Sequence, residues 1–340
     1  MISKEKKINK LFLYWLNTSL MLVFFIIIVG GLTRLTNSGL SITQWELFKG
    51  VLPPISDNAW DAYFNEYKKI PQYKLINFNM NIDEFKVIFY WEYFHRVLAR
   101  IIGIFFLIPL FFFYFSKKIK IEYINICLAI FILILFQGII GWYMVKSGLA
   151  NDITVSHYRL SIHLSTAVLI ISTIFWLIKN FTSKKNKKFF NLSNTNLPYI
   201  FLVFLIYLQI IMGAFVSGLD AGRIYQTWPL MGNSYFPNDT IFLTNNLLNF
   251  DNHSLVQFYH RNLAYLIFIY VLSLTIYIYK KRIYSLYFSI KILFFLLFLQ
   301  IFFGIFTLVS GLNIYLASAH QITSVLLIFS ALNMYFLRAK

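Results

Sequence analysis

A single cysteine, Cys127, occurs in 340 residues. This excludes an intramolecular disulfide and leaves no set of thiolates from which to build a zinc site. Cys127 falls inside an apolar run and reads as a small buried side chain. Charge is scarce as well: 13% of residues are charged, against 59% hydrophobic and 20% aromatic, a composition no soluble globular domain has. Acidic residues are rarest, 13 against 30 Lys and Arg, which gives a net charge of +17. The first apolar run lacks a small-residue cleavage site and no transit peptide is recognisable, so this run is expected to stay as a membrane span.

Apolar runs of about 20 residues recur along the chain and define an all-α polytopic membrane protein. Eight transmembrane helices are expected, at 11–33, 90–115, 122–145, 153–178, 197–219, 254–279, 285–309 and 314–337. Topology accounts for the basic excess. Lys4, Lys6, Lys7 and Lys10 precede the first span, and Lys117, Lys118 and Lys120 follow the second. Lys179, Lys184, Lys185, Lys187 and Lys188 follow the fourth, Lys280, Lys281 and Arg282 the sixth, and Arg338 and Lys340 end the chain. With eight spans all of these lie on one side, whereas segment 34–86 on the other side carries six basic and six acidic residues. The positive-inside rule then places both termini in the cytoplasm, and a bacterial plasma (inner) membrane fits best. The basic excess faces the lipid bilayer and marks no nucleic-acid surface.

The chain repeats itself. It divides near residue 190, within the polar stretch Ser183 to Asn196, into residues 1–190 and 191–340. Each half has four spans, so the expected architecture is two four-helix bundles related as a parallel repeat. Tyr93-Phe94-His95-Arg96 is echoed by Phe258-Tyr259-His260-Arg261, and Tyr158 to His163 by Tyr315 to His320. Gln137, Gly138 and Gly141 precede Ser147-Gly148-Leu149, as Gln300 and Gly304 precede Ser310-Gly311-Leu312 at an offset of 163 residues. Gly30 and Gly213 are looser partners. The glycines allow close helix approach and the glutamines can bridge helices, with packing as the simplest reading of both.

Four histidines, His95, His163, His260 and His320, thus occupy repeat-matched places in apolar helices. An ionisable side chain inside a bilayer is costly and is presumed functional. Two pairs on facing helices suggest two metal centres of one design, and heme iron between two imidazoles is the natural occupant. Arg96 and Arg261, one residue further on, could pair with heme propionates at the outer surface. His157 and His253 have no matched partner and read as interfacial residues.

The informative asymmetry is Glu92 against Gln257, each three residues before its histidine and on the same helix face. A carboxyl can carry charge, move a proton or stabilise a cationic intermediate, which suits acid–base work. The structural alternative is a salt bridge to Arg96 or Arg100. The N-terminal half would then be the reaction site and the C-terminal half a stable heme centre. Two long outer loops, 34–86 and 220–253, break the symmetry. In the first, Ser56 can cap a helix running to Lys69 with Trp60, Phe64 and Tyr67 on one face, and Asn81 with Glu84 forms a capping box. Loops this long and this aromatic are expected to cover a site.

At these residues the chain resembles the heme A synthases of mitochondria and alphaproteobacteria. The resemblance covers nearly the whole length. It is carried by Gly30-Gly31-Leu32-Thr33-Arg34-Leu35-Thr36-Asn37-Ser38-Gly39-Leu40-Ser41, Gly50-Val51-Leu52-Pro53-Pro54, Trp91 to Arg96, Val155-Ser156-His157-Tyr158-Arg159-Leu160 and His260-Arg261. The lack of a cysteine pair fits the long-loop branch. The resemblance implies an oxidoreductase that converts a methyl group of heme O, through hydroxylation, to the formyl group of heme A. It implies that His95 and His163 hold the substrate heme O, that Glu92 assists, and that His260 and His320 hold a permanent heme b. Heme O synthase would act upstream, heme-copper oxidases would take the product, and an unidentified electron donor is required. Since iron with two imidazoles has no open position, either His95 or His163 is expected to be displaced in turnover.

Two other readings compete. A cytochrome b-type electron carrier would use the same four histidines without needing Glu92. A transporter would want interrupted helices and polar groups near the midplane; here the spans look continuous and the polar residues gather at the outer edge.

Overall fold

Among the described residues, the chain forms eight long α-helices and two short ones. A computed structural model describes residues 2–44, 50, 52–151, 153–190, 192–239 and 247–339. Val51 of the Gly50–Pro54 motif, the terminal Lys340 and parts of both long loops (45–49 and 240–246) lie outside the described residues. The elements are α1 (Ile2–Leu35), α2 (Asp57–Tyr67), α3 (Pro71–Leu75), α4 (Ile82–Ser116), α5 (Ile121–Asn151), α6 (His157–Ser183), α7 (Leu197–Gly218), α8 (His253–Lys280), α9 (Tyr287–Val309) and α10 (Ile314–Arg338). All but α2 and α3 are long and apolar enough to cross a membrane. The protein is therefore a multi-pass membrane protein whose backbone polar groups are satisfied inside helices.

The helix ends differ from the expected spans where side chains extend them. α4 starts at Ile82 because Asn81 Oδ1 accepts from the Asp83 and Glu84 N–H groups while Glu84 accepts from the Asn81 N–H at 2.9 Å. α5 continues to Asn151 and takes Ser147-Gly148-Leu149 into the helix. The matching Ser310-Gly311-Leu312 instead ends α9 in a left-handed turn, with φ +74° at Gly311 and +67° at Leu312. The turn is held on both sides. Asn313 caps α10 through the Tyr315 and Leu316 N–H groups. Leu312 lies so close to Gly222 that a Cβ added there would sit 2.8 Å from it. Identical tripeptides thus take different backbones because their neighbours differ.

By its internal contacts the chain forms two compact units, Met1–Ile171 and Ser172–Lys340, the division falling inside α6. In the first unit α4 packs between α1 and α5. Exposed Phe111, Phe112 and Phe115 on α4 present an apolar face suited to lipid. In the second unit α7, α8, α9 and α10 pack in sequence, and α10 returns to α7. Trp176, in the last turns of α6, stacks on Tyr335 at 5.1 Å. Lys187 donates to the Phe336 and Ala339 carbonyls beyond, compensating the C-terminal end of α10.

The first outer loop is ordered by an aromatic cluster. Ser56 accepts from the Ala59 N–H and starts α2 as expected, though the helix stops at Tyr67, with Lys68 as its C-cap. Trp60, Phe64 and Tyr67 then face Phe85 and Phe89 of α4. Phe85 is fully buried, 5.0 Å from the Phe64 ring and 5.1 Å from that of Tyr67. The Tyr67 hydroxyl donates to Gln72 at 2.9 Å and accepts from Asn77 at 2.7 Å, and Gln72 donates to the Asn37 carbonyl at 3.2 Å. Burial pushes the Tyr67 phenol up to about 12, so it stays a neutral donor through the physiological range.

Removing the Phe85 ring takes the centre out of this cluster. Phe85→Ala is expected to cost the loop about 3–5 kcal/mol of packing. Limited proteolysis of the detergent-solubilised variant should show rapid cleavage within residues 52–80, where the parent protein resists.

Candidate functional site

Each of the four histidines lies against a glycine of the preceding long helix. A Cβ built on Gly30 would stand 3.2 Å from His95 Cε1, and one on Gly141 3.1 Å from His163 Cε1. On Gly213 it would stand 3.2 Å from His260 Cε1, and on Gly304 2.9 Å from His320 Cε1. The pairing is α1 with α4, α5 with α6, α7 with α8 and α9 with α10. Small residues at helix interfaces admit close backbone approach; here what approaches is an imidazole. By contrast, Gly103 and Gly138 meet nothing within 4 Å.

The rings then meet two by two. His95 and His163 have ring centroids 6.3 Å apart at an interplanar angle of 67°, and His260 and His320 stand 6.4 Å apart at 76°. A metal held at about 2 Å from one nitrogen of each ring would set the centroids about 6 Å apart. Among the described residues no cluster of three or more His, Cys, Asp or Glu side chains forms. Each centre therefore offers two protein ligands, suited to a macrocycle that brings its own equatorial donors. All four histidines are half-buried as residues. Nδ1 of His163 and Nδ1 of His260 are buried without a hydrogen-bond partner. These residues fit a heme in each half. His157 and His253 lie outside both ring pairs. Each opens a helix, His157 buried beside Tyr158 with ring centroids 4.1 Å apart, and His253 exposed.

Glutamines tie three of the histidine helices to their glycine helices. Gln137 donates to the His163 carbonyl at 2.9 Å and Gln209 to the His260 carbonyl at 3.0 Å. The Gln209 amide also lies 3.4 Å from His260 Nε2, and the Gln300 amide 3.3 Å from His320 Nε2. His320 Nδ1 donates to the Gln300 carbonyl at 3.0 Å, a contact that selects its tautomer. Thr323 donates to Gln300 Oε1. Gln137 and Gln300 stood out in the repeat. Gln209 did not, although it precedes Gly213 by four residues as the others precede Gly141 and Gly304.

Glu92 sits one turn before His95, 3% exposed. Its Oε1 accepts from Arg96 at 2.5 Å, and its Oε2 accepts from Ser41 Oγ at 2.7 Å and from the Ile42 N–H at 2.9 Å. Arg96 also donates to the Ile42 carbonyl at 3.0 Å. The salt bridge foreseen as the structural alternative for Glu92 is thus present and goes to Arg96; Arg100 donates to the Gly50 carbonyl at 3.2 Å. In the second half Gln257 donates to the Tyr225 carbonyl at 2.8 Å, and Arg261 donates to that carbonyl at 3.0 Å. The two halves hold their outer loops by the same two positions. A carboxylate can only accept, so Glu92 takes a backbone N–H; an amide can donate, so Gln257 takes a carbonyl. Ser41 and Ile42 had no individual signal in the sequence, since the loop contact depends on the tertiary fold.

Fold and site together define a multi-pass helical membrane protein with two paired-imidazole centres. Its family follows from comparison with known proteins. Residues 13–332 match the COX15-CtaA family, described as cytochrome oxidase assembly protein, and the chain belongs to that family. It is 51% identical to the heme A synthase of Pelagibacter ubique over 325 residues, 93% of each chain. It is 40% identical to that of Rickettsia felis over 339 residues, covering 95% of this chain and 96% of the relative. The heme A synthase of Parvibaculum lavamentivorans is 42% identical over 255 residues, 75% of this chain and 74% of the relative.

The glycine faces make a direct prediction. Gly304→Ala should displace the His320 ring and lower the heme content of purified protein by about half, the share of one centre. Gly138→Ala, which meets open space, should leave it unchanged. A pyridine hemochrome assay on both variants checks this.

Proposed function

We propose that this protein is a heme A synthase, an oxidoreductase that converts a methyl group of heme O to the formyl group of heme A through hydroxylation. The observation that carries the reading is the presence of two equally spaced imidazole pairs in a chain that matches heme A synthases over nearly its whole length. The iron of a bound heme supplies the redox chemistry.

His95 and His163 hold the substrate heme O, and His260 and His320 hold a permanent heme b. The glycine faces let the imidazoles approach the backbone of the neighbouring helix, which positions the rings that would hold each heme. Arg261 would carry positive charge toward the propionates of its heme, whereas the Arg96 guanidinium is paired with Glu92. Glu92 handles protons at the N-terminal centre, with Ser41 Oγ–H as its hydroxyl contact at 2.7 Å and Arg96 balancing its charge. The first outer loop, locked onto Glu92 and Arg96 through Ile42, shields this centre from water. The two halves form two parallel-repeat bundles in a bacterial inner membrane with both termini cytoplasmic. Heme O synthase supplies the substrate, and a separate electron donor completes the reaction.

A cytochrome b-type electron carrier is the second reading, favoured by the near equality of the two ring separations. Mass-resolved identification of hemes from protein co-expressed with a heme O synthase separates the two. The synthase should yield heme b together with heme O, heme A or hydroxylated intermediates; a carrier would yield heme b alone.

Glu92→Gln makes the first half imitate the second. Heme A formation is expected to fall by about 10²-fold, the size of a general acid–base contribution, with both hemes retained. Undiminished heme A would remove Glu92 from the reaction.

A further inference from the structure

Within four residues of the four histidines, on their own helices, stand four charged side chains: Glu92 and Arg96 beside His95, Arg159 before His163 and Arg261 after His260. The repeat sets Arg96 against Arg261, Glu92 against Gln257 and Arg159 against Leu316. One carboxylate and two guanidiniums in the first half therefore correspond to one guanidinium in the second, and each half keeps a single positive charge in excess. In the first half that excess does not reside on Arg96, whose Nη2 and Nε both donate to Glu92 Oε1, at 2.5 and 3.1 Å. It resides on Arg159. This half-buried guanidinium donates to Ser147 Oγ and lies 5.0 Å from the centre of the Tyr143 ring, both of them uncharged groups on α5. It takes part in none of the ion pairs among the described residues. Arg34, on α1, and Arg100, five residues past His95, donate to Asn37 and to the Gly50 carbonyl of the outer loop.

Arg159 stands one helical turn, about 6 Å, before His163 and on the same face of α6. Glu92 stands three residues before His95, and α4 and α6 run the same way with α5 between them, so both charges lie toward the outer end of their ring pair. A carboxylate taken out of water at that end needs a cation that is not already engaged. The planar guanidinium fork matches a carboxylate through two parallel hydrogen bonds. We propose that Arg159 binds a propionate of the heme held between His95 and His163, as Arg261 would in the second half. The inference rests on the heme reading above and deepens it. It also accounts for an arginine that has no counterpart in the repeat. An acid at position 92 takes up Arg96, and the substrate carboxylate then requires a second base; the second half, with Gln257, does not. Ser147 and Tyr143 hold the Arg159 side chain in place without neutralising it.

Heme transfer to excess apomyoglobin reads the contact directly. Full-length protein purified from cells that also express a heme O synthase is assayed after its hemes have been quantified and identified. Arg159→Leu, which installs the residue type of position 316, should release heme O about 10–100-fold faster than the wild type, the range of a hydrogen bond to a charged group. Release of heme b should be unchanged. The emptied centre is then refilled with hemin or with hemin dimethyl ester, whose propionates carry no charge. The wild type should hold hemin about 10–100-fold longer than the ester, and the variant should hold the two equally. Arg159→Gln, which keeps a donor for Ser147 and loses the charge, should behave as Arg159→Leu does and carries the test if that variant fails to fold. A wild type that releases hemin and its ester at one rate would overturn the proposal. So would variants that lose both faster yet keep the preference for hemin, the outcome for a residue that merely packs α6 on α5. Either result leaves the heme reading intact. Folded protein without heme in the N-terminal half would overturn both.

Discussion

The contact of an imidazole with a bare stretch of helix backbone is the constraint on which the site depends. A histidine needs its ring held in one plane to serve as an axial ligand, and a membrane helix offers few polar groups with which to hold it. Here steric fit does much of that work. Gly30, Gly141, Gly213 and Gly304 leave shallow recesses into which the rings settle, and the same recesses bring the helix axes close. The separation of the paired rings, nearly identical in the two halves, follows from repeating this contact four times.

On that common frame the halves diverge through charge. Position 92 is Glu and position 257 is Gln, and each binds the backbone of its outer loop through whichever group its chemistry can satisfy. The carboxylate with Arg96 forms a buried ion pair, and a buried charge left without its partner is strongly destabilising. Glu92 and Arg96 are therefore mutually dependent, and the Ser41–Ile42 segment depends on both. Gln257 shares one carbonyl of Tyr225 with Arg261 and, being neutral, adds no charge at its position. The first loop is also held from a second side, by the aromatic cluster around Phe85 and the Tyr67–Gln72–Asn37 hydrogen bonds.

Much of this was legible in the sequence because bilayers impose simple rules. Apolar length located the eight long helices among the described residues, and the repeat located the four histidines, the Glu92–Gln257 contrast and two of the three glutamines. The capping box at Asn81 and Glu84 and the cap at Ser56 were readable because both are local. What sequence could not supply was the partner of each element. The helical course of Ser147-Gly148-Leu149 against the turn at Ser310-Gly311-Leu312 depends on what meets each segment: Gly148 packs against Leu40, whereas Leu312 packs against Gly222 and Asn313 caps α10. The role of Ser41 and Ile42 depends on a loop folding back some fifty residues onto α4. Glycines that pointed only to packing proved to face the histidines, because spacing along one helix does not reveal what lies across from it.

The glycine faces also divide the chain into surfaces with different freedom to vary. Outward-facing Phe, Ile, Leu and Tyr side chains meet lipid tails that scarcely distinguish one from another, so such positions can drift with nucleotide composition. The chain has 38 phenylalanines and only 14 glycines. At Gly304 an added Cβ would stand 2.9 Å from the His320 ring and must displace it, and at Gly30, Gly141 and Gly213, at 3.1–3.2 Å, the imidazole would have to give by a few tenths of an ångström. Mutational tolerance should therefore change over a fraction of a helical turn, from almost free on the lipid side to almost none behind each histidine.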